Sequence, residues 1–319
     1  MSTFYVGADG GGTRTTCVLI SSEGKVLAVQ KGGGLNYHTI GMENAKRNLF
    51  EIISRLTDGL DSPCLKIGVG MSALDDRATD RQLSDFSEGY FEKENLFLHS
   101  DAYAALMAAT LGKSGVIVIC GTGSMAVYAD ETLKQTPAGG WGYLLGDAGS
   151  SYNLAVDGMR AAIAQFENTG ERTLLADALM KRFSLSHPRA LIDFIYADTT
   201  KPSDIAKFAM DVLTLANEGD HAAKGIVDKH MSEMAKIVSG LTKNNIPSPV
   251  WLYGGVFEHN PFVVRLFEKK LSELCPGTQA ALLTCPPAVG AAIYAMSECG
   301  ALNENVIENI QNTYREIDF

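Results

Sequence analysis

The chain runs through one order of elements twice, and each pass opens on the same kind of turn. At the N-terminus the apolar run Phe4-Tyr5-Val6 leads to Asp9-Gly-Gly-Gly-Thr13, and the β-type run Thr15–Ile20 follows. At Val116–Cys120 the pattern restarts with a strand, then Gly121-Thr-Gly-Ser124, then Met125–Ala129. Both stretches read as strand, tight glycine turn, strand. A turn without Cβ atoms lets backbone N–H groups converge on an anion, and phosphate is the usual one. Asp9, at the lip of the first turn, suits a metal ion held against such phosphates.

The elements between the turns fit a repeat. The first pass predicts strands over Phe4–Ala8, Thr15–Ile20 and Lys25–Gln30, the last two joined by Ser21-Ser-Glu-Gly24. Gly32-Gly-Gly-Leu-Asn36 reads as a flexible crossing. Apolar residues recur at three and four from Met42 to Leu56, an amphipathic helix. A strand over Leu65–Met71, a weaker helix over Asp80–Tyr90, a strand over Leu96–His99 and an alanine-rich helix over Asp101–Leu111 complete βββαβαβα. In the second pass a run near Lys134 is the third strand. Helical sequence then fills Ser151 to about Lys243, with breaks near Gly170, His187-Pro188 and Gly219. Strands over Val250–Tyr253 and Gln279–Leu283 alternate with helices over Pro261–Leu274, Pro287–Met296 and Glu304–Arg315. Such a duplication predicts two similar α/β domains facing a ligand cleft, one phosphate turn from each. The boundaries expected are 1–113 and 114–301, with a helical insertion over about 151–243 and a last helix, about 302–319, packing back on the first domain. Without a linker at Gly112–Gly115, the domains are expected to be tightly coupled and hinged.

Composition narrows the function. Net charge is -10, with no block of like charges, which argues against a nucleic-acid surface. Six cysteines form no C-x-x-C pair and read as reduced thiols of a cytoplasmic protein. No apolar run has the length of a membrane span, and no signal-peptide core stands at the N-terminus. The six histidines have no zinc or iron ligand spacing.

Two nucleotide motifs fail on context. Gly121-x-Gly123-x-x-Ala126 matches the dinucleotide fingerprint, but Met125–Ala129 reads as a strand where that motif needs a helix. Leu111-Gly-Lys-Ser114 lacks the first glycine of a P-loop, Met107 standing in its place. Asp101 opens a helix after a strand, which suits either an N-cap or a general base. In Ala138-Gly-Gly-Trp-Gly-Tyr143 and the following Leu144-Leu-Gly-Asp-Ala-Gly-Ser150, glycines surround a flat aromatic with Asp147 close behind. Such a loop suits a polyhydroxylated ligand. Tyr253-Gly-Gly-Val256, a strand-to-helix turn, admits a flat ring against the backbone.

In this order the pieces resemble the actin/sugar-kinase/Hsp70 superfamily, and within it the N-acetylglucosamine kinases of the BadF/BadG-type ATPase family. Asp9-Gly-Gly-Gly-Thr13 resembles the first phosphate motif, Gly121-Thr-Gly-Ser124 the second, and Gly254-Gly255 the adenosine motif. Gly139-Gly-Trp-Gly142 with Gly146-Asp147-x-Gly149-Ser150 resembles the kinase branch. The resemblance implies two actin-like, ribonuclease H-like domains with ATP and sugar in the cleft. It also implies an ATP-dependent transfer to the 6-hydroxyl of an amino sugar, N-acetylglucosamine first, glucosamine or N-acetylmuramic acid as alternatives.

By position the resemblance implies Asp101 as the catalytic base. Asn36, Asp101, Gly140, Trp141, Gly142 and Asp147 are implied at the sugar. Gly11, Gly12, Thr13, Gly121, Thr122, Gly123, Gly254, Gly255 and His259 are implied at ATP, and Asp9 at Mg2+. A homodimer is implied as well. Ala148 stands where the family commonly has Glu, and Gly70-Met-Ser-Ala-Leu-Asp75 lacks a second glycine, which leaves the identity of the sugar open. Two rival classes are an ATPase activator of a 2-hydroxyacyl-CoA dehydratase, which needs an iron–sulfur cluster on cysteines, and a non-enzymatic sugar sensor.

Overall fold

A computed structural model describes residues 3–61, 63–241, 247–317 and 319. The chain divides into two compact units, Met1–Gly115 with Ala129–Gln135 and Leu283–Phe319, and Val116–Tyr128 with Thr136–Leu282.

The first unit is built on β1 (Thr3–Gly10), β2 (Arg14–Ser21), β3 (Val26–Gly33), β4 (Cys64–Met71) and β5 (Leu96–Ser100), in the order β3-β2-β1-β4-β5. β1 to β3 are antiparallel neighbours, whereas β4 runs parallel to both β1 and β5. Four helices interleave: α1 (Tyr37–Ile40), α2 (Met42–Leu56), α3 (Asp80–Ser87) and α4 (Asp101–Thr110). The periodic face of α2 (Ala45, Leu49, Ile52, Ile53, Leu56) packs on Val6, Ala8, Ile67 and Val69, alternate residues of one sheet face. β3 runs into the glycines expected to form a loop. A Cβ on Gly32 would lie 2.5 Å from Ile52 Cγ1 and one on Gly33 2.5 Å from Asn48 Nδ2, so their lack of side chains lets α2 cover this strand.

The second unit repeats the plan. β6 (Gly115–Cys120), β7 (Ser124–Ala129) and β8 (Gln135–Gly139) are followed by the insertion: α5 (Ser151–Phe166), α6 (Leu175–Arg182), α7 (Ala190–Ile195), α8 (Pro202–Ala206), α9 (Ala209–Glu218) and α10 (His221–Leu241). The expected end of the insertion near Lys243 lies outside the described residues. Next come β9 (Val250–Tyr253), α11 (Gly255–Glu258), α12 (Pro261–Leu274) and β10 (Ala280–Leu282). The strand order β10-β9-β6-β7-β8 equals that of the first unit when each sheet is counted from its own first strand. β6, β9 and β10 are parallel, as β1, β4 and β5 are. The repeat in the sequence is thus a repeat of topology.

Two last helices, α13 (Pro287–Glu298) and α14 (Glu304–Thr313), return to the first unit. The boundary read from the sequence put 283–301 in the second half, and here it is corrected. A Cβ on Gly7 would lie 1.9 Å from the Ala288 carbonyl, one on Gly68 1.9 Å from that of Ala291, and one on Gly290 2.0 Å from that of Ala104. Helix, sheet and α4 therefore meet backbone to backbone, which only glycines and alanines permit. α14 packs on the β2–β3 hairpin: Asn309 donates to the Glu23 carbonyl (2.7 Å), and Thr313 Oγ1 accepts from Val26 N–H (3.0 Å).

Candidate active site

Two of the expected site residues lie at the C-terminal ends of the parallel strands of the first sheet. Asp9 is near the C-terminal end of β1, and Asp101 directly follows the parallel strand β5. Between them runs β4, with Asp9 opposite Gly70 and Gly70 opposite His99. A Cβ on Gly70 would lie 2.4 Å from Ala104 Cβ and 3.4 Å from Asp101 Cα, so the missing side chain lets α4 start here. Asp9 is half-buried. Burial, with the charge of Asp101 added, pushes its carboxyl up to about 6. Burial also raises Asp101 above the usual carboxylate range, the N–H of Ala102 working in the opposite direction.

The cap role weighed for Asp101 belongs to Ser100. Its hydroxyl accepts from Tyr103 N–H at 3.2 Å, and Asp101 is the first helical residue. Asp101 Oδ1 accepts from Ala102 N–H at 2.7 Å. The carboxylate is therefore oriented but not consumed by capping. His99 is no rival base: buried and stacked on Tyr103 at 3.9 Å between ring centres, it is pulled down to about 4, chiefly by burial. Asn36 caps α1, accepting from His38 N–H (3.1 Å), and its amide donates to Ser72 Oγ (3.2 Å). Ser72 N–H in turn donates to the Gly10 carbonyl (3.1 Å), which ties Asn36 to the end of β1.

The two glycine turns are built alike. Gly11 N–H closes the first onto the Arg14 carbonyl (3.1 Å), with Gly12 and Thr13 at its exposed tip. A Cβ on Gly12 would meet nothing within 4 Å. In the second unit Gly121 N–H bonds the Gly123 carbonyl (2.9 Å), with Thr122 exposed between them. Gly254 has φ +100, and a Cβ there would lie 2.5 Å from the Cys120 carbonyl, so the Gly254-Gly255 turn sits against the second glycine turn. His259 is exposed near Gly255.

Residues 139–150 form the rest of the second unit's set. Gly139, Gly140, Gly142 and Gly149 all have positive φ, and so does Asp147 at +63. A Cβ on Gly123 would lie 3.0 Å from Asp147 Oδ2, so the second glycine turn and the Asp147 carboxylate are packed together. Burial raises Asp147 above its usual range, opposed by the backbone N–H groups of Gly142 and Ser124. Among the described residues, Asp147 Oδ1 is buried with no hydrogen-bond partner. An orphaned acceptor of this kind is what a sugar hydroxyl would satisfy. Beside it lies a cavity of about 610 Å³ lined by Trp141, Tyr143, Leu144, Asp147, Tyr152 and His230. Trp141 is 74% exposed, so its indole is free to meet a ligand.

Several supports of this loop had no local signal in the sequence. Ser124 Oγ donates to the Ala148 carbonyl (2.7 Å), and Asn153 donates to the Asp147 carbonyl (3.0 Å). His230 accepts from Gly149 N–H. The cysteines divide unevenly: Cys17, Cys120, Cys275 and Cys285 are buried, Cys64 half-buried and Cys299 exposed.

A model of the BadF/BadG/BcrA/BcrD ATPase family matches residues 6–295. The chain belongs to that family. The matched span includes both glycine turns, Asp101 and the Asp147 loop, and family membership brings ATP as the nucleotide. Among curated relatives of this family member, N-acetyl-D-glucosamine kinase of Dictyostelium discoideum is 31% identical, covering 92% of this chain and 98% of that protein. N-acetylmuramic acid/N-acetylglucosamine kinase of Clostridium acetobutylicum is 29% identical over 93% and 99%. A solved structure from Chromobacterium violaceum, provisionally named an N-acetylglucosamine kinase, shares the fold with TM-score 0.75 at 23% identity, covering 92% and 98%. The duplicated α/β arrangement seen here is the fold that the chain shares with that structure.

Proposed function

We propose that this protein is an ATP-dependent kinase that phosphorylates the 6-hydroxyl of an amino sugar, N-acetylglucosamine first among them. The observation that carries this reading is Asp101: a carboxylate at the end of a parallel strand, released from capping by Ser100, and raised by burial towards the range useful to a base. The curated kinases similar over nearly the whole chain supply the substrate class.

Phosphoryl transfer depends on positioning and charge neutralisation more than on covalent chemistry. The exposed tips of the two turns, Gly12-Thr13 and Thr122-Gly123, donate to the phosphates of ATP. Gly254, Gly255 and His259 line the adenosine. Asn36, Asp147 and the Gly140-Trp141-Gly142 segment hold the sugar. Asp101 accepts the proton of the 6-hydroxyl as that oxygen bonds to the γ-phosphorus, and the bond from phosphorus to the bridging oxygen of ADP breaks. Asp9 fits Mg2+, which is commonly held by one or two carboxylates together with substrate phosphates and water. When bound, Mg2+ neutralises phosphate charge. A cytoplasmic setting and a homodimer belong to the same proposal.

The test is ADP release over a panel of N-acetylglucosamine, glucosamine, N-acetylmuramic acid and glucose. Sugar-dependent ADP release, greatest with N-acetylglucosamine, is expected. ADP release indifferent to every sugar would overturn the reading, and a brown, iron-containing protein from anaerobic purification would favour the activator.

A further inference from the structure

The loop that carries Asp147 is fastened from behind by a side chain 81 positions away. Gly149 N–H donates to His230 Nδ1 at 3.1 Å, and His230 Nε2 lies 3.2 Å from Asp157 Oδ2. Because the amide donates, Nδ1 is the acceptor and the ring proton sits on Nε2, where Asp157 accepts it. One neutral tautomer satisfies both contacts. The ring is 3% exposed on α10. Asp157, on α5, is also held by Lys229 Nζ (2.9 Å) and Arg160 (2.9 Å); the hydrogen bond from His230 first, then those from Lys229 and Arg160, pull its carboxyl well below the usual range.

The other fastenings of this loop, Ser124 and Asn153, act on carbonyls at 146–148. His230 alone among them holds an N–H group. Gly149 has φ +81, and a Cβ there would lie 3.1 Å from Met231 Cε, so the glycine admits α10 to this distance. Asp147 is two residues earlier, in a left-handed conformation that costs energy for any residue but glycine. Such a conformation persists only where the surroundings impose it.

We propose that His230, oriented by Asp157, is a positioning residue for sugar binding. By anchoring Gly149 it fixes the backbone of the Asp147 turn and so the direction of the carboxylate. The inference rests on the reading that Asp147 binds the sugar, and it adds a side chain that does not itself touch substrate.

The test separates the two ring nitrogens. His230→Asn keeps an acceptor near the place of Nδ1 and gives up Asp157. His230→Gln reaches the place of Nε2 and gives up Gly149, and His230→Ala gives up both. His230→Gln and His230→Ala are expected to raise the KM for N-acetylglucosamine about tenfold, while kcat and the KM for ATP change much less. His230→Asn is expected to stay near wild type. If Asn and Gln behave alike, or if ATP and sugar constants rise together, the positioning role is wrong. Hydrogen exchange of the peptide containing residues 146–150 gives a readout independent of activity. Exchange faster in Gln than in Asn supports the anchor even if no amino sugar is phosphorylated, and equal exchange in both overturns it. If the Ala variant fails to fold, the Asn and Gln pair still decides.

Discussion

Asp9 and Asp101 lie at the C-terminal ends of two parallel strands of one mixed sheet, separated by a strand whose facing residue, Gly70, has no side chain. The register places Asp9 beside Gly70 and Gly70 beside His99, two residues before Asp101. Two carboxylates brought together in a partly buried setting resist ionising, and the charge of Asp101 adds to burial in raising Asp9. This arrangement costs stability and suits a site that receives a cation.

That cost has a pH signature. Asp9 binds its proton more tightly in the folded chain, at about 6, than at its ordinary 3.8. Its contribution is therefore complete below about pH 4 and is lost as pH rises through 6. The loss at neutral pH has an upper bound of about 3 kcal/mol. Asp9→Asn should raise Tm at pH 8, give no gain at pH 4, and abolish most ATP-dependent turnover. Equal shifts in Tm at both pH values would show that Asp9 is not held under this strain.

Gly12 and Gly290 should respond in opposite ways to alanine. At Gly290 the added methyl would lie 2.0 Å from the Ala104 carbonyl, so α13 and α4 must separate. A loss of about 1–3 kcal/mol is expected, read as a lower Tm. At Gly12 there is open space within 4 Å, so Gly12→Ala should leave Tm unchanged and raise the KM for ATP several-fold. An unchanged ATP constant would remove Gly12 from the phosphate site.

Asp147→Ala removes a buried carboxylate with an unpartnered oxygen. Removing it relieves desolvation but also takes the acceptor away from the N–H groups of Gly142 and Ser124, so the two effects oppose each other and Tm should change little. The KM for the sugar should rise at least about tenfold, the size of one lost hydrogen bond to a charged group, with ATP affecting turnover as before. Isothermal titration with sugar alone checks the same point. Equal weakening of both ligands would mark a folding defect instead.

Much of this was legible in the chain. Met42–Leu56, Pro261–Leu274 and Val250–Tyr253 run as their apolar spacing and flanking residues predict. The two strand-turn-strand signals were strong enough to reveal the duplicated topology. What the chain concealed depends on distant partners. α13 looks like the end of the second half until Gly7 and Gly68 are seen beneath it. Gly32 and Gly33 read as loop because glycine signals flexibility locally, whereas here it makes room for Ile52 and Asn48. Asp101 read equally as an N-cap or a base because Ser100 and Asp101 are both good caps, and it is the fold that gives the cap to Ser100. His230 carried no local signal, being one histidine on a long helix.

The most direct measurement is the turnover of Asp101→Asn with N-acetylglucosamine and ATP, alongside the binding of each ligand to the same variant. Loss of a general base predicts a kcat lower by about 10²–10⁴-fold, with sugar and ATP bound nearly as tightly as by the wild type. A variant that phosphorylates the sugar at close to the wild-type rate would contradict the account.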